Sequence, residues 1–129
     1  MIAVALVFAA FAALIHVYIF WLESFAWTTP RGLATFGMRA DQATATKELA
    51  FNQGFYNLFL AVIAGTGVAF VASGTTGIGA ALIVAGCGSM LAAGLVLWIS
   101  SPSKARAALV QLAAPALSLI ALAIAMATS

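Results

Sequence analysis

From Leu49 to Ser103 the chain carries no charged side chain. A stretch of that length exceeds the roughly 20 residues one helix needs to cross the hydrocarbon layer. Near its middle Ser73-Gly74-Thr75-Thr76-Gly77 has the composition of a turn, so it reads as two crossings joined by a short uncharged connection. An apolar run from Ile2 to Ala26 precedes it and another follows Arg106. Across 129 residues, 65% are hydrophobic and 6% charged, whereas about a quarter of a soluble domain is charged. The expectation is an all-α fold: a polytopic membrane protein built as an antiparallel four-transmembrane-helix bundle. It forms one domain over residues 1–129, with helices at about 2–27, 42–72, 78–99 and 104–127.

Local signals set the boundaries. No Lys or Arg precedes the first apolar run, which continues beyond the length of a signal-peptide core, so it is read as a retained helix. Pro30 stops it, because the residue before a proline is pushed out of the α region. Trp21 and Trp27 lie at its interface end, and Trp98 near the end of the third span. Leu33, Phe36 and Met38 in the polar stretch that follows are placed to rest on the membrane surface. Asp41 and Ser103 are the expected N-caps of the second and fourth spans. In the third span Ala81, Ala85, Ser89 and Ala93 recur every fourth position, and Gly79, Gly86, Gly88 and Gly94 join them. Such small residues let another helix approach, with a cavity beside them as the alternative. Pro115 favours a bend in the fourth span that frees the Gln111 carbonyl toward the bundle interior. Ala114, Ser118, Ala121 and Ala125 form a further small face, for packing within one bundle or between chains, so a homo-oligomer stays open.

The basic residues give an orientation. Arg31, Arg39 and Lys47 flank the first connection and Lys104 and Arg106 the third, while the second connection and both termini have none. The positive-inside rule puts the basic connections in the cytoplasm and both termini on the extracytoplasmic side of a plasma (inner) membrane.

Counting about 1.5 Å per helical residue from the cytoplasmic ends places Glu23 at about 5 Å depth, Asn52 and Gln53 at about 8 Å, and Gln111 at about 10 Å. His16, Tyr56 and Asn57 fall at about 14 to 15 Å. Bare polar groups in hydrocarbon cost several kcal/mol, on the order of one strong contact each, so these seven should turn toward one another or toward a wet cavity. Antiparallel neighbours bring Glu23 opposite Asn52 or Gln53, and His16 opposite Tyr56 or Asn57. The plainer reading of Asn52, Gln53, Tyr56 and Asn57 is interhelical glue, and of Glu23 a carboxylate that snorkels to water. One histidine with one carboxylate makes a poor metal ligand set, so no metal is expected.

Several functions are disfavoured. Cys87 stands alone and forms no intrachain disulfide. No basic patch interleaved with aromatics suggests nucleic acid. Phosphate loops, zincin helices, serine elbows and dinucleotide fingerprints are missing, and Gly65-Thr66-Gly67 is a small-residue cluster within a span. No cofactor is assigned.

Three runs carry a resemblance: Trp27-Thr28-Thr29-Pro30-Arg31-Gly32 after His16 and Glu23, then Thr46-Lys47, then Asn52-Gln53-Gly54-Phe55-Tyr56-Asn57. With Val110-Gln111 and Pro115-Ala116-Leu117, the chain resembles a family of small four-helix membrane proteins catalogued as domain of unknown function 1304. Leu112-Ala113-Ala114 departs from the family pattern, in which a glycine commonly follows the glutamine. The resemblance implies four spanning helices and no assigned activity.

Whether the chain is an enzyme stays open. The favoured expectation is a pocket near the cytoplasmic side, formed by His16, Glu23, Asn52, Gln53, Tyr56, Asn57 and Gln111, that binds a small amphipathic molecule or lipid headgroup. The alternatives are a proton-coupled transporter of small molecules, a membrane enzyme using Glu23 or His16 as acid or base, and a bundle whose polar residues serve only its structure.

Overall fold

The computed structural model describes residues 1–128. The elements are α1 (Ile2–Ser24), α2 (Pro30–Phe36), α3 (Ala40–Ala72), α4 (Thr76–Ser100), a 3-10 turn (Pro102–Lys104) and α5 (Ala105–Ala127), with no strand among the described residues. The segments Ile2–Ser24, Ala40–Ala72, Thr76–Ser100 and Pro102–Ala127 are each long and apolar enough to cross a membrane. The four long helices close into a ring: α1 packs on α3 and α5, α4 packs on the same two, and α1 and α4 face each other diagonally. All five Lys and Arg residues lie at one end, called here the basic end.

The connection after α1 differs from the expected chain exit. Helix α1 ends at Ser24, and the N–H groups of Phe25 and Ala26 both donate to the Trp21 carbonyl. Pro30 then opens a second helix instead of only ending the first. Thr29 is its N-cap: the hydroxyl donates to the Ala26 carbonyl at 2.6 Å and accepts from the Gly32 N–H at 3.3 Å. Pro30 suits the first helical position because it has no N–H to leave unsatisfied. Gly32 packs so closely on the Ala26 and Trp27 carbonyls that a side chain there would overlap them. Gly37 ends α2 in the left-handed region at φ 62°. Trp27 ties this connection down, donating through Nε1–H to Thr46 Oγ1 at 3.1 Å and lying 4.9 Å, centroid to centroid, from Phe36.

Neither expected cap is found. Arg39 is the N-cap of α3, its N–H donating to Gln42 Oε1 at 3.1 Å, and Asp41 sits in the first turn paired to the Arg39 guanidinium. Ser103 lies within the 3-10 turn, and Lys104 precedes α5 with no side-chain cap bond.

Small residues set the packing. Ala5, Ala9 and Ala12 on α1, Ala64 on α3, Ile83, Cys87 and Met90 on α4, and Ala114, Ala121 and Leu122 on α5 form the core. Helices α3 and α4 touch where a Cβ on Gly67 would stand 2.8 Å from the Gly79 carbonyl oxygen. The third span meets its neighbours through Gly79, Ile83, Gly86, Cys87, Met90 and Gly94, whereas Ala81, Ala85, Ser89 and Ala93 point out of the bundle. On α5, Ala114, Ser118 and Ala121 are buried, and the Ser118 hydroxyl donates to the Ala5 carbonyl of α1 at 2.9 Å.

Candidate functional site

The α1/α3 seam at the basic end begins with a glycine. A Cβ on Gly54 would overlap Ser24 Oγ and stand 2.9 Å from the Phe20 carbonyl oxygen, so only a bare backbone allows this approach. Two interhelical bonds follow from it. The Ser24 hydroxyl donates to the Phe51 carbonyl at 2.9 Å, and Asn57 Nδ2 donates to Glu23 Oε2 at 2.7 Å. The same Asn57 nitrogen also donates to the Gln53 carbonyl at 3.2 Å, which fixes the amide. Among the described residues Glu23 Oε1 takes no hydrogen bond, so one carboxylate oxygen is anchored and the other is free to bind.

The seven residues read from the sequence divide. Glu23 pairs with Asn57, one turn deeper than the expected Asn52 or Gln53. Asn52 and Gln53 are exposed, and Tyr56 is 64% exposed on the outer surface of α3. The physical reason is the helical wheel. Ala50, Gly54, Asn57, Ala61 and Ala64 share the buried face of α3, and at about 100° per residue Asn52 lies nearly opposite it. His16 is 1% exposed, but Nδ1–H donates to the Ala12 carbonyl of its own helix at 2.9 Å; neither Tyr56 nor Asn57 bonds it. That bond assigns the hydrogen of a neutral ring to Nδ1 and leaves Nε2 an acceptor.

Glu23 and Gln111 do come together, on the wall of a cavity of about 460 Å³ between α1, α2 and α5. Ile15, Ile19 and Leu22 of α1, Leu97 of α4 and Val110 of α5 give it an apolar side. Ala34, Thr35 and Phe36 of α2 lie against it at the basic end, where Lys104 and Arg106 also reach it. Tyr18 and Trp27 complete the wall, and the Tyr18 hydroxyl accepts from the Arg31 guanidinium at 3.3 Å. Asn52, Gln53, Tyr56, Asn57 and His16 are not on this wall. Among the polar and aromatic lining residues, sequence reasoning missed Tyr18, Trp27, Thr35, Lys104 and Arg106; the signal for the last two was their place just before and at the start of α5, about one to two turns ahead of Gln111. No group of three or more His, Cys, Asp or Glu residues suited to a metal ion occurs among the described residues.

The model of the family described as "Protein of unknown function (DUF1304)" matches residues 10–123. The chain belongs to this family. The matched range spans the turn that seats α2, the Gly54 crossing and the residues that line the cavity. DUF1304 carries no activity with it. No curated protein and no solved structure matches the chain.

Proposed function

We propose that this DUF1304 protein crosses the plasma membrane with its basic end in the cytoplasm and binds a small amphipathic molecule in the cavity between α1, α2 and α5. The observation that carries the proposal is the composition of that wall: aliphatic side chains on one side, with Glu23, Gln111, Thr35, Lys104 and Arg106 toward the basic end. An amphiphile divides the same way, and pockets that are mostly apolar with a few convergent polar groups are the usual form of small-molecule sites. Orientation rests on the position of the five basic residues. Filling the cavity is the direct test. Ala107 lines it, and Ala107→Phe adds bulk there without adding charge. Native mass spectrometry after extraction in mild detergent is expected to find a retained small molecule on the natural chain and none on the variant, at equal helix content by circular dichroism. The same spectrum from both proteins would refute the reading.

A further inference from the structure

The cavity wall carries one acidic and two basic side chains, and these are not paired with each other. Glu23 is held through Oε2 by Asn57, which leaves Oε1 unbonded. Lys104 and Arg106 have no ion pair or side-chain hydrogen bond; the salt bridge among the described residues joins Arg39 and Asp41, elsewhere on the chain. A carboxylate and two cations that share one partly enclosed space, without neutralising each other, match a molecule that carries both complementary charges. A purely anionic head would meet Lys104 and Arg106 but face the Glu23 carboxylate. A purely cationic head would meet Glu23 but face two cations.

We infer that the cavity takes a zwitterionic amphiphile whose head bears a protonated primary amine and a phosphate, the ethanolamine phosphate head of a membrane lipid being the natural form. The inference rests on the cavity being the binding site. The amine donates to Glu23 Oε1 and to the Gln111 side-chain carbonyl. The phosphate takes Lys104 and Arg106, the latter with the planar donor fork suited to phosphate. The acyl chain lies along Ile15, Ile19 and Val110. An N–H donor is what Glu23 requires, so a quaternary trimethylammonium, having none, is a poorer ligand.

Trp27 is on the cavity wall and serves as the reporter, in a chain where the exposed Trp21 and Trp98 are replaced by Phe. Lysophosphatidylethanolamine, lysophosphatidylcholine and lysophosphatidylglycerol are titrated into the protein in detergent. The expected result is saturable change of Trp27 emission by the ethanolamine lipid, with the choline and glycerol lipids weaker by at least about tenfold, the worth of one charge-assisted hydrogen bond. Glu23→Gln keeps a carbonyl to accept from Asn57 and so preserves the fold; it should bring the ethanolamine lipid down to the level of the glycerol lipid. Lys104→Gln with Arg106→Gln should weaken all three. Equal affinity for the three lipids, or a preference that survives Glu23→Gln, overturns the headgroup assignment. If Ala107→Phe strips a ligand while the three lipids bind alike, only that assignment falls; if no ligand is retained and no lipid binds, the binding function falls with it. Free phosphoethanolamine as competitor separates the sources of the head. Competition equal to the lysolipid supports a soluble zwitterion, and none supports the lipid.

Discussion

A carboxylate at the end of a membrane helix is held by the donors that reach it, and Glu23 has one such donor, the Asn57 amide at 2.7 Å. Asn57 is 9% exposed and spends its other hydrogen on the Gln53 carbonyl, so no water needs to complete the contact. Removing the donor leaves an acceptor without a partner in a largely dehydrated place. Asn57→Ala should therefore lower stability by about 1 to 2 kcal/mol, whereas Glu23→Gln, which retains an acceptor, should change it by less than about 0.5 kcal/mol. Reversible unfolding in mixed micelles measures both, and equal losses from the two substitutions would show that the bond contributes little. Residue chemistry was legible in the sequence here: an isolated Glu in the first span and an Asn in the second are costly alone, and they met. Which amide did so was not legible from depth, because the count from the helix ends sets Asn52 and Gln53 nearest Glu23, whereas Asn57 lies one turn further in on the buried face of α3.

At the scale of the element, the α1/α3 crossing depends on Gly54. Gly54→Ala places a methyl into Ser24 Oγ and against the Phe20 carbonyl, so the helices must separate and the Ser24 to Phe51 bond must stretch. A loss of about 1 to 3 kcal/mol is expected, the usual cost of overpacking. Gly65 in the same helix has nothing within 4 Å of such a methyl, and Gly65→Ala should be neutral or stabilise by up to about 1 kcal/mol through helix propensity. Thermal denaturation of the pair checks the contrast. The number of spans was readable because length and hydropathy decide it. The small-residue rule found the right helices but not always the right face: on α5 Ser118 and its neighbours turn inward, while on α4 Ala81, Ala85, Ser89 and Ala93 turn outward and the glycine face packs. In a span that is apolar all round, hydrophobicity carries no moment to orient it, and only the position of bulky against bare backbone does. The short helix α2 was missed for a different reason. Pro30 reads equally as an end or a beginning, and the Thr29 cap decides between them.

For the whole molecule, the sidedness of charge sets the expected topology. Single cysteines at Thr35, beside the cavity, and at Thr75, in the opposite turn, test it in a Cys87→Ala background. In intact cells a membrane-impermeant thiol reagent should label the Thr75 site and spare the Thr35 site; the reverse pattern would invert the topology.

The ring also has a direction in time. During synthesis the α1/α3 seam is complete as soon as the second crossing has emerged, since Ser24, Phe51, Glu23 and Asn57 all belong to it. The cavity between α1, α2 and α5 lacks one of its walls until the last crossing arrives and Ser118 reaches Ala5. A chain halted before α5 would thus hold Glu23 in its finished position while having no enclosure beside it, so the capacity to retain a ligand should appear abruptly with the final helix and not in proportion to the length of chain made.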